Sequence, residues 1–201
     1  MYKRQFLEAE DGWRDATWWR DDLYRDPEGG RYETGDFSNH PAVYVSWFDA
    51  VAFCRWLSSR LDMAVRLPGE WEWQQAATDG ERRYRFPWGA AWNPGREPFR
   101  ANTRESRLAG MTAVGMYPAG TSRGEALDMA GTVWEWCRDR YNTPGVVETR
   151  ADGFDDRSLR GGSWDSGQAD AQVAARCGRD PRSRGSTIGF RVVCLTPMLD
   201  D

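Results

Sequence analysis

A single histidine, His40, and four cysteines, Cys54, Cys137, Cys177 and Cys194, are the residues of this chain best suited to bind a metal or act as a nucleophile. Their spacing assembles little. With one histidine, neither a Ser-His-Asp relay nor a histidine-rich metal centre can be built in the usual way. The cysteines stand far apart with no CxxC pair, so spacing alone implies neither a metal site nor a disulfide framework, and reduced, mostly buried thiols are expected. Paired carboxylates, Asp155 with Asp156 and Glu70 with Glu72, have the right type for acid–base chemistry. Nothing in their sequence context supplies a partner, and they read as solvated charge.

The elements that would position such groups are those of one domain spanning 1–201, since 201 residues supply one sizeable core and are short for two. A net charge of −4 argues against nucleic acid or an anionic membrane surface as the main partner. No stretch approaches the roughly 20 apolar residues of a membrane span, the first residues lack the apolar core of a signal peptide, and no compartment is indicated. Twelve Trp, with seven Tyr and eight Phe, imply a core of large rings whose polar tips each need a hydrogen-bond partner. Such cores suit loop-rich folds.

In PAVYVSWFDAVAFCRWLSSRL, Val43 to Val45 read as extended, and Ser46 reads as an N-cap with Asp49 three residues on, the capping-box spacing. The helix that follows should run from Trp47 to about Leu61, with Ala50, Val51, Cys54, Leu57 and Leu61 on its inner face and Phe53 and Trp56 widening the stripe. Pro68 and Gly69 precede a second helix from about Glu70 to Thr78, closed by Asp79 and Gly80. Beyond it, glycine and proline recur every few residues, so strands must be short and loops long. Two helices followed by such a region give an α+β class with an antiparallel sheet.

The segments PAVYVSWFDAVAFCRWLS, RLPGEWEWQQAA, FPWG, ANT, ALDMAGTVWEW, LRGGSW and IGFRVV, from about His40 to Cys194, together resemble the formylglycine-generating-enzyme-type (sulfatase-modifying factor) domain, a C-type-lectin-like fold. The resemblance implies two helices, short antiparallel strands and long loops. It places Trp134, Trp136 and Trp164 beside glycine turns as buried scaffold. The opening strand such domains usually carry is not apparent, so the chain is expected to be truncated at its N-terminus, with that strand missing or replaced.

In formylglycine-generating enzymes, two cysteines after the GGS turn bind copper and activate oxygen. The matching positions here are Ser166 and Ala171, which supply no thiolate, and Cys177 in the same segment is a single soft ligand. The related ergothioneine-type sulfoxide synthases hold iron with histidines from an attached domain, whereas His40 reads as a turn residue. No catalytic residue, no metal and no cofactor are therefore expected. Calcium is the one ion the resemblance leaves open, through Asn102 and Asp128, although Thr132 stands where the family pattern usually has Asn.

A further branch of this fold comprises the variable proteins of diversity-generating retroelements, in which a C-terminal segment is rewritten at template adenines and forms a ligand-binding face. Residues 161–193 resemble such a variable region: GGSW opens it and IGFRVV closes it. Randomised AAC or AAT codons cannot encode Trp, Met, Gln, Lys or Glu, and between Asp165 and Thr187 only Gln168 and Gln172 are of those types. Asp165, Ser166, Gly167, Ala169, Asp170, Cys177, Gly178, Arg182, Ser183, Gly185, Ser186 and Thr187 are the candidate ligand-binding positions. Gln168, Arg176, Arg179, Pro181 and Arg184 read as framework, with arginines clamping loop carbonyls while Trp164 and Phe190 bury. The function expected is that of a non-catalytic protein whose diversified surface binds a protein or other macromolecule. The alternative is a catalytically inactive, formylglycine-generating-enzyme-like accessory or sensor domain of a larger bacterial protein, its polar loop an ordinary one.

Overall fold

The computed structural model describes residues 2–19, 23–26, 39–92, 99–146 and 153–195. The chain forms helix α1 (Tyr2–Glu8), helix α2 (Trp47–Leu61), strand β1 (Ala64–Arg66), helix α3 (Glu70–Thr78) and strands β2 (Trp134–Arg140), β3 (Arg157–Arg160), β4 (Cys177–Arg179), β5 (Ile188–Gly189) and β6 (Val193–Leu195). Single 3-10 turns lie at Ala16–Trp19, Arg104–Ser106 and Pro118–Gly120. No helix among the described residues is long and apolar enough to cross a membrane.

Helix α2 begins where its capping residues predict. The Asp49 N–H donates to Ser46 Oγ at 3.1 Å and the Ser46 N–H donates to Asp49 Oδ2 at 2.8 Å, satisfying two orphan donors reciprocally. It ends at Asp62, in the left-handed region at φ 51°, whose N–H returns to Ser58 O. The buried stripe is wider than the predicted face: Trp47, Phe48 and Ala52 are enclosed along with the predicted Phe53 and Trp56, whereas Val51 and Leu61 are partly exposed. Helix α1 packs across the predicted face and brings Phe6 to 5.6 Å from Phe53 and 5.5 Å from Trp56 between ring centroids, while on the added side Trp47 reaches Cys137 O with its Nε1 and Phe48 packs with Tyr24 and Phe154. The predicted extension over 43–45 is interrupted, because Tyr44 takes a left-handed conformation at φ 57°.

Four strands form a sheet in the order β4-β3-β2-β5, and β1 pairs antiparallel with β6 in a separate two-stranded ribbon. The wholly antiparallel sheet that the sequence predicts is corrected at one edge. β5 runs parallel to β2, with Trp134 opposite Ile188 and Glu135 opposite Gly189. That pairing is admitted by glycine, since a Cβ at Gly189 would stand 2.8 Å from Ala42 O.

Three buried indoles are partnered as burial requires. Trp47 Nε1 donates to Cys137 O at 2.9 Å, Trp136 Nε1 to Val45 O at 2.9 Å and Trp73 Nε1 to Glu135 Oε2 at 2.7 Å. Of the three tryptophans expected to be buried, Trp136 is enclosed, while Trp134 and Trp164 are only partly so. Phe190 is likewise half-buried. Cys54 and Cys137 are buried, but Cys177 is half-buried and Cys194 exposed; all four are free thiols.

Glu70 corrects the reading of paired carboxylates as solvated charge. Its side chain, 12% exposed, accepts from Arg176 Nε at 2.6 Å, Arg160 Nη1 at 2.8 Å and Ser158 Oγ at 2.6 Å, which ties α3 to β3 and to the chain entering β4. Glu72 is held by both Nη atoms of Arg66 at 2.6 Å. Burial raises the Glu70 pKa, but hydrogen bonds from Arg176, Ser158 and Arg160 outweigh it and hold the carboxyl below the ordinary glutamate range.

Candidate ligand-binding surface

The stretch between Trp164 and Ile188 is held from outside itself. Trp164 anchors its start: the backbone N–H donates to Thr132 O at 3.1 Å, and Nε1 reaches Ser186 O at 3.2 Å, so the two ends of the stretch meet at one indole. Asp165 O accepts from Arg104 Nη2 at 2.5 Å and Ser166 O from the Arg104 N–H at 2.9 Å, while the Gln168 N–H donates to Glu105 Oε1 at 2.9 Å. Further along, Pro181 O accepts from the Trp47 N–H at 3.0 Å, Gly185 O from the Tyr44 N–H at 3.0 Å and Thr187 O from the Trp134 N–H at 2.8 Å. Two arginines complete the frame. Arg176 grips Glu70 and Tyr141 O, and Arg184 donates to Tyr44 O at 3.1 Å and pairs with the buried Asp49. Carboxylates as well as the predicted carbonyls thus receive their forks.

The candidate positions divide by this geometry. Asp165, Ala169 and Asp170 are exposed and Gly167 partly so, in a loop beside the 3-10 turn Arg104–Ser106. Arg182 is exposed, and Ser183, Gly185, Ser186 and Thr187 are half-exposed, in a second loop that carries the chain from β4 to β5 at opposite edges of the sheet. A side chain at Gly167 or Gly185 would meet only ordinary van der Waals contacts, the nearest atoms lying 3.6 Å and 3.8 Å away.

Ser166 and Gly178 are corrected. Ser166 points inward, 7% exposed, with its Oγ 3.0 Å from Ser163 Oγ. Gly178 is a strand residue whose Cβ would lie 2.5 Å from the Tyr141 ring, so its lack of a side chain is a packing requirement rather than free variation. Cys177 shares β4, at the sheet edge opposite β5, and pairs with Leu159. The framework reading also needs amendment at two positions: the Gln168 side chain and Arg179 are exposed, and Arg179 Nη1 reaches the neighbouring Gly178 O.

An aromatic that sequence reasoning missed adjoins the second loop. Phe154 is 55% exposed, yet the Arg182 guanidinium lies 5.1 Å from its ring centroid and Tyr24 and Phe48 pack beside it at 5.7 and 5.8 Å. Its setting in the polar run DGFDD was the available signal. Asp180 accepts from Arg182 Nε at 2.9 Å and from the Arg182 N–H at 2.8 Å; the guanidinium chiefly holds this carboxyl below the usual range.

A family model of the sulfatase-modifying factor enzyme 1-like domain matches residues 3–195. The chain belongs to that family. It is 35% identical to a formylglycine-generating enzyme of Streptomyces coelicolor over 88% of this chain, and 31% identical to the inactive C-alpha-formylglycine-generating enzyme 2 of Mus musculus over 87%. It spans only 60% and 56% of those relatives' lengths. Among solved structures, PvdO from Pseudomonas aeruginosa superposes with a TM-score of 0.65 at 26% identity, covering 78% of this chain and 62% of that one. Treponema denticola variable protein 1 gives a TM-score of 0.63 at 24% identity, covering 78% and 71%. The fold of this sulfatase-modifying factor-type domain is α+β and C-type-lectin-like.

These relatives correct the expectation that the chain is no enzyme: curated members 29–35% identical to it are named formylglycine-generating enzymes, alongside inactive ones. The copper chemistry of that activity is a separate question, and the donors present do not fit it. At the two positions that carry the family's thiolates, Ser166 offers a hydroxyl bonded to Ser163, and Ala171 offers a methyl packed with Ala101 and Ala130. Soft Cu(I) selects thiolate or thioether ligands, which neither residue supplies.

The calcium candidates are engaged elsewhere. Asn102 donates through Nδ2 to Gly110 O and Thr112 Oγ1, and its Oδ1 accepts from Ser106. The Asp128 carboxylate accepts from the Gly115 N–H at 2.7 Å, and burial raises its pKa. Among the described residues no three His, Cys, Asp or Glu side chains cluster as a metal site.

Proposed function

We propose that this domain displays a ligand-binding face formed by Asp165, Gly167, Ala169 and Asp170 in the first loop and Arg182, Ser183, Gly185, Ser186 and Thr187 in the second. The face is diversified in the manner of a retroelement variable protein and binds a protein or other macromolecular surface. The observation that carries this reading is the origin of the loops' support. Their backbone carbonyls are held by Arg104, Tyr44, Trp47, Trp134 and Trp164, so the displayed side chains are not needed to hold the loops they stand on.

The side chains displayed are small, and binding energy in such faces concentrates in aromatic and arginine anchors. Phe154, stacked under Arg182, supplies a fixed aromatic beside the changeable positions.

Two experiments test the reading. A library randomised at the nine displayed positions should yield folded members at high frequency and selectable binders to unrelated proteins. In the genome, a reverse transcriptase gene and an asparagine-rich near-repeat of the segment should lie beside the coding sequence. A library that unfolds at most positions, or a locus with neither feature, would overturn the proposal.

A further inference from the structure

A cleft of about 500 Å³ opens beside α3, within the range of about 300 to 1,000 Å³ typical of small-molecule sites, and it uses none of the displayed loop side chains. Its mouth is apolar. Trp71, Pro144 and Val146 line it and are exposed, Trp71 by 76% and Val146 by 59%. The packing of α3 does not need the Trp71 ring: the helix is buried through Trp73 and Ala77, while Trp71 and Gln75, one turn apart, face outward. No other aromatic ring meets Trp71 among the described residues. Three apolar side chains left in water around one concavity mark a surface that a ligand covers.

The wall beneath carries charges that already face one another. Three carboxylates and three guanidinium groups line the cleft. Glu70 is shared by Arg160 and Arg176, Glu72 is bound by Arg66, and Asp139 accepts from the Glu70 N–H. Arg138 acts on Glu72: after the Arg66 hydrogen bonds, which are the largest cause, it helps to hold that carboxyl below the ordinary glutamate range. A charged ligand would have to compete with one of these pairs while giving up its own water. An uncharged ligand meets no such cost.

We propose that this cleft binds a small, uncharged aromatic molecule, its ring stacked on Trp71 and packed against Pro144 and Val146. The bare indole sets the shape of the ligand, since aromatic rings favour offset or edge-on aromatic partners. The paired wall sets its lack of charge.

The test is titration of the whole chain with benzyl alcohol, benzoate, benzylamine and propan-1-ol, followed by calorimetry and by the indole resonance of Trp71. Benzyl alcohol should saturate and shift Trp71, with the other three each at least about tenfold weaker. Trp71→Ala should abolish this binding and Trp71→Phe should retain it, both at an unchanged melting temperature. Glu72→Gln, which leaves Arg66 and Arg138 without their shared carboxylate, should move the preference from the alcohol towards benzoate by about tenfold. Absence of saturable benzyl alcohol binding up to about 10 mM, benzoate or benzylamine binding as tightly as the alcohol, or an unchanged preference in folded Glu72→Gln would overturn the assignment. None of these results bears on the loop face, whose residues the experiment leaves intact.

Discussion

The guanidinium of Arg184 pairs with the carboxylate of Asp49, which is wholly buried at the start of α2 and also receives Ser46 N–H and the Trp13 indole. One residue of the loop segment therefore neutralises a charge inside the helical core. Breaking a buried pair from one side typically costs about 3 to 5 kcal/mol, because the remaining charge stays desolvated. Arg184→Ala should be destabilised on that scale. Asp170→Tyr, Ser183→Tyr and Ser186→Tyr should stay within about 0.5 kcal/mol of the parent, as exposed substitutions generally do. Chemical denaturation of the four variants makes the comparison; the reverse ranking would mean that the loops are packed interior and not a display surface.

Ser166 and Gly178 should separate from their neighbours in the segment. Ser166→Tyr forces a ring into the space shared with Ser163, and Gly178→Ala drives a methyl into the Tyr141 ring. Overpacking of this kind costs about 1 to 3 kcal/mol. Gly185→Ala, whose Cβ would meet only ordinary van der Waals contacts, should be close to neutral. Melting curves that show Gly178→Ala as silent would return that position to the variable set.

Thr132 is a β-branched residue held at φ 63°, with its Oγ1 buried and without a hydrogen-bond partner among the described residues. Left-handed conformations are costly for β-branched side chains and tolerated by Asn. Thr132→Asn should therefore raise stability by about 1 kcal/mol, a fraction of the strain such backbone positions store. A lower melting temperature would show that the Thr132 methyl packs too well to replace.

Acid should weaken the fold through Glu70. Its folded pKa lies below the ordinary range, where hydrogen bonds from Arg176, Ser158 and Arg160 outweigh burial, and Arg66 depresses Glu72 in the same direction. A depressed carboxyl contributes stability that is complete above its unfolded pKa of about 4.3 and is lost as pH falls through the folded value. Melting temperature should thus hold near neutrality and drop below about pH 4.3. Glu70→Gln should start lower at neutral pH and lose part of that acid limb, with Glu72, Glu105 and Asp180 among the depressed carboxyls that retain the rest. An acid limb untouched by Glu70→Gln would assign the titration to other groups.

What the sequence by itself determined is local. The α2 boundaries follow from Ser46 and Asp49, whose hydrogen bonds span three residues, and the α3 span follows from Pro68–Gly69 ahead of it and the left-handed Asp79 behind it. The framework roles of Arg176 and Arg184 were also legible, since a long forked side chain in a glycine- and serine-rich run has few reasons to be there except to clamp. Tertiary structure decided the rest, because it depends on neighbours far along the chain. Glu70 is a buried ion-pair centre only because Arg160 and Arg176 arrive from about ninety and a hundred residues away, and without them the same carboxylate would seek water. Gly178 is constrained only because Tyr141 covers it, whereas a Cβ at Gly185, identical in type, would meet only ordinary van der Waals contacts. The parallel placement of β5 beside β2, the half-exposure of Trp134 and the aromatic support that Phe154 gives Arg182 have the same origin: each is a packing relation between distant segments, which local pattern does not encode.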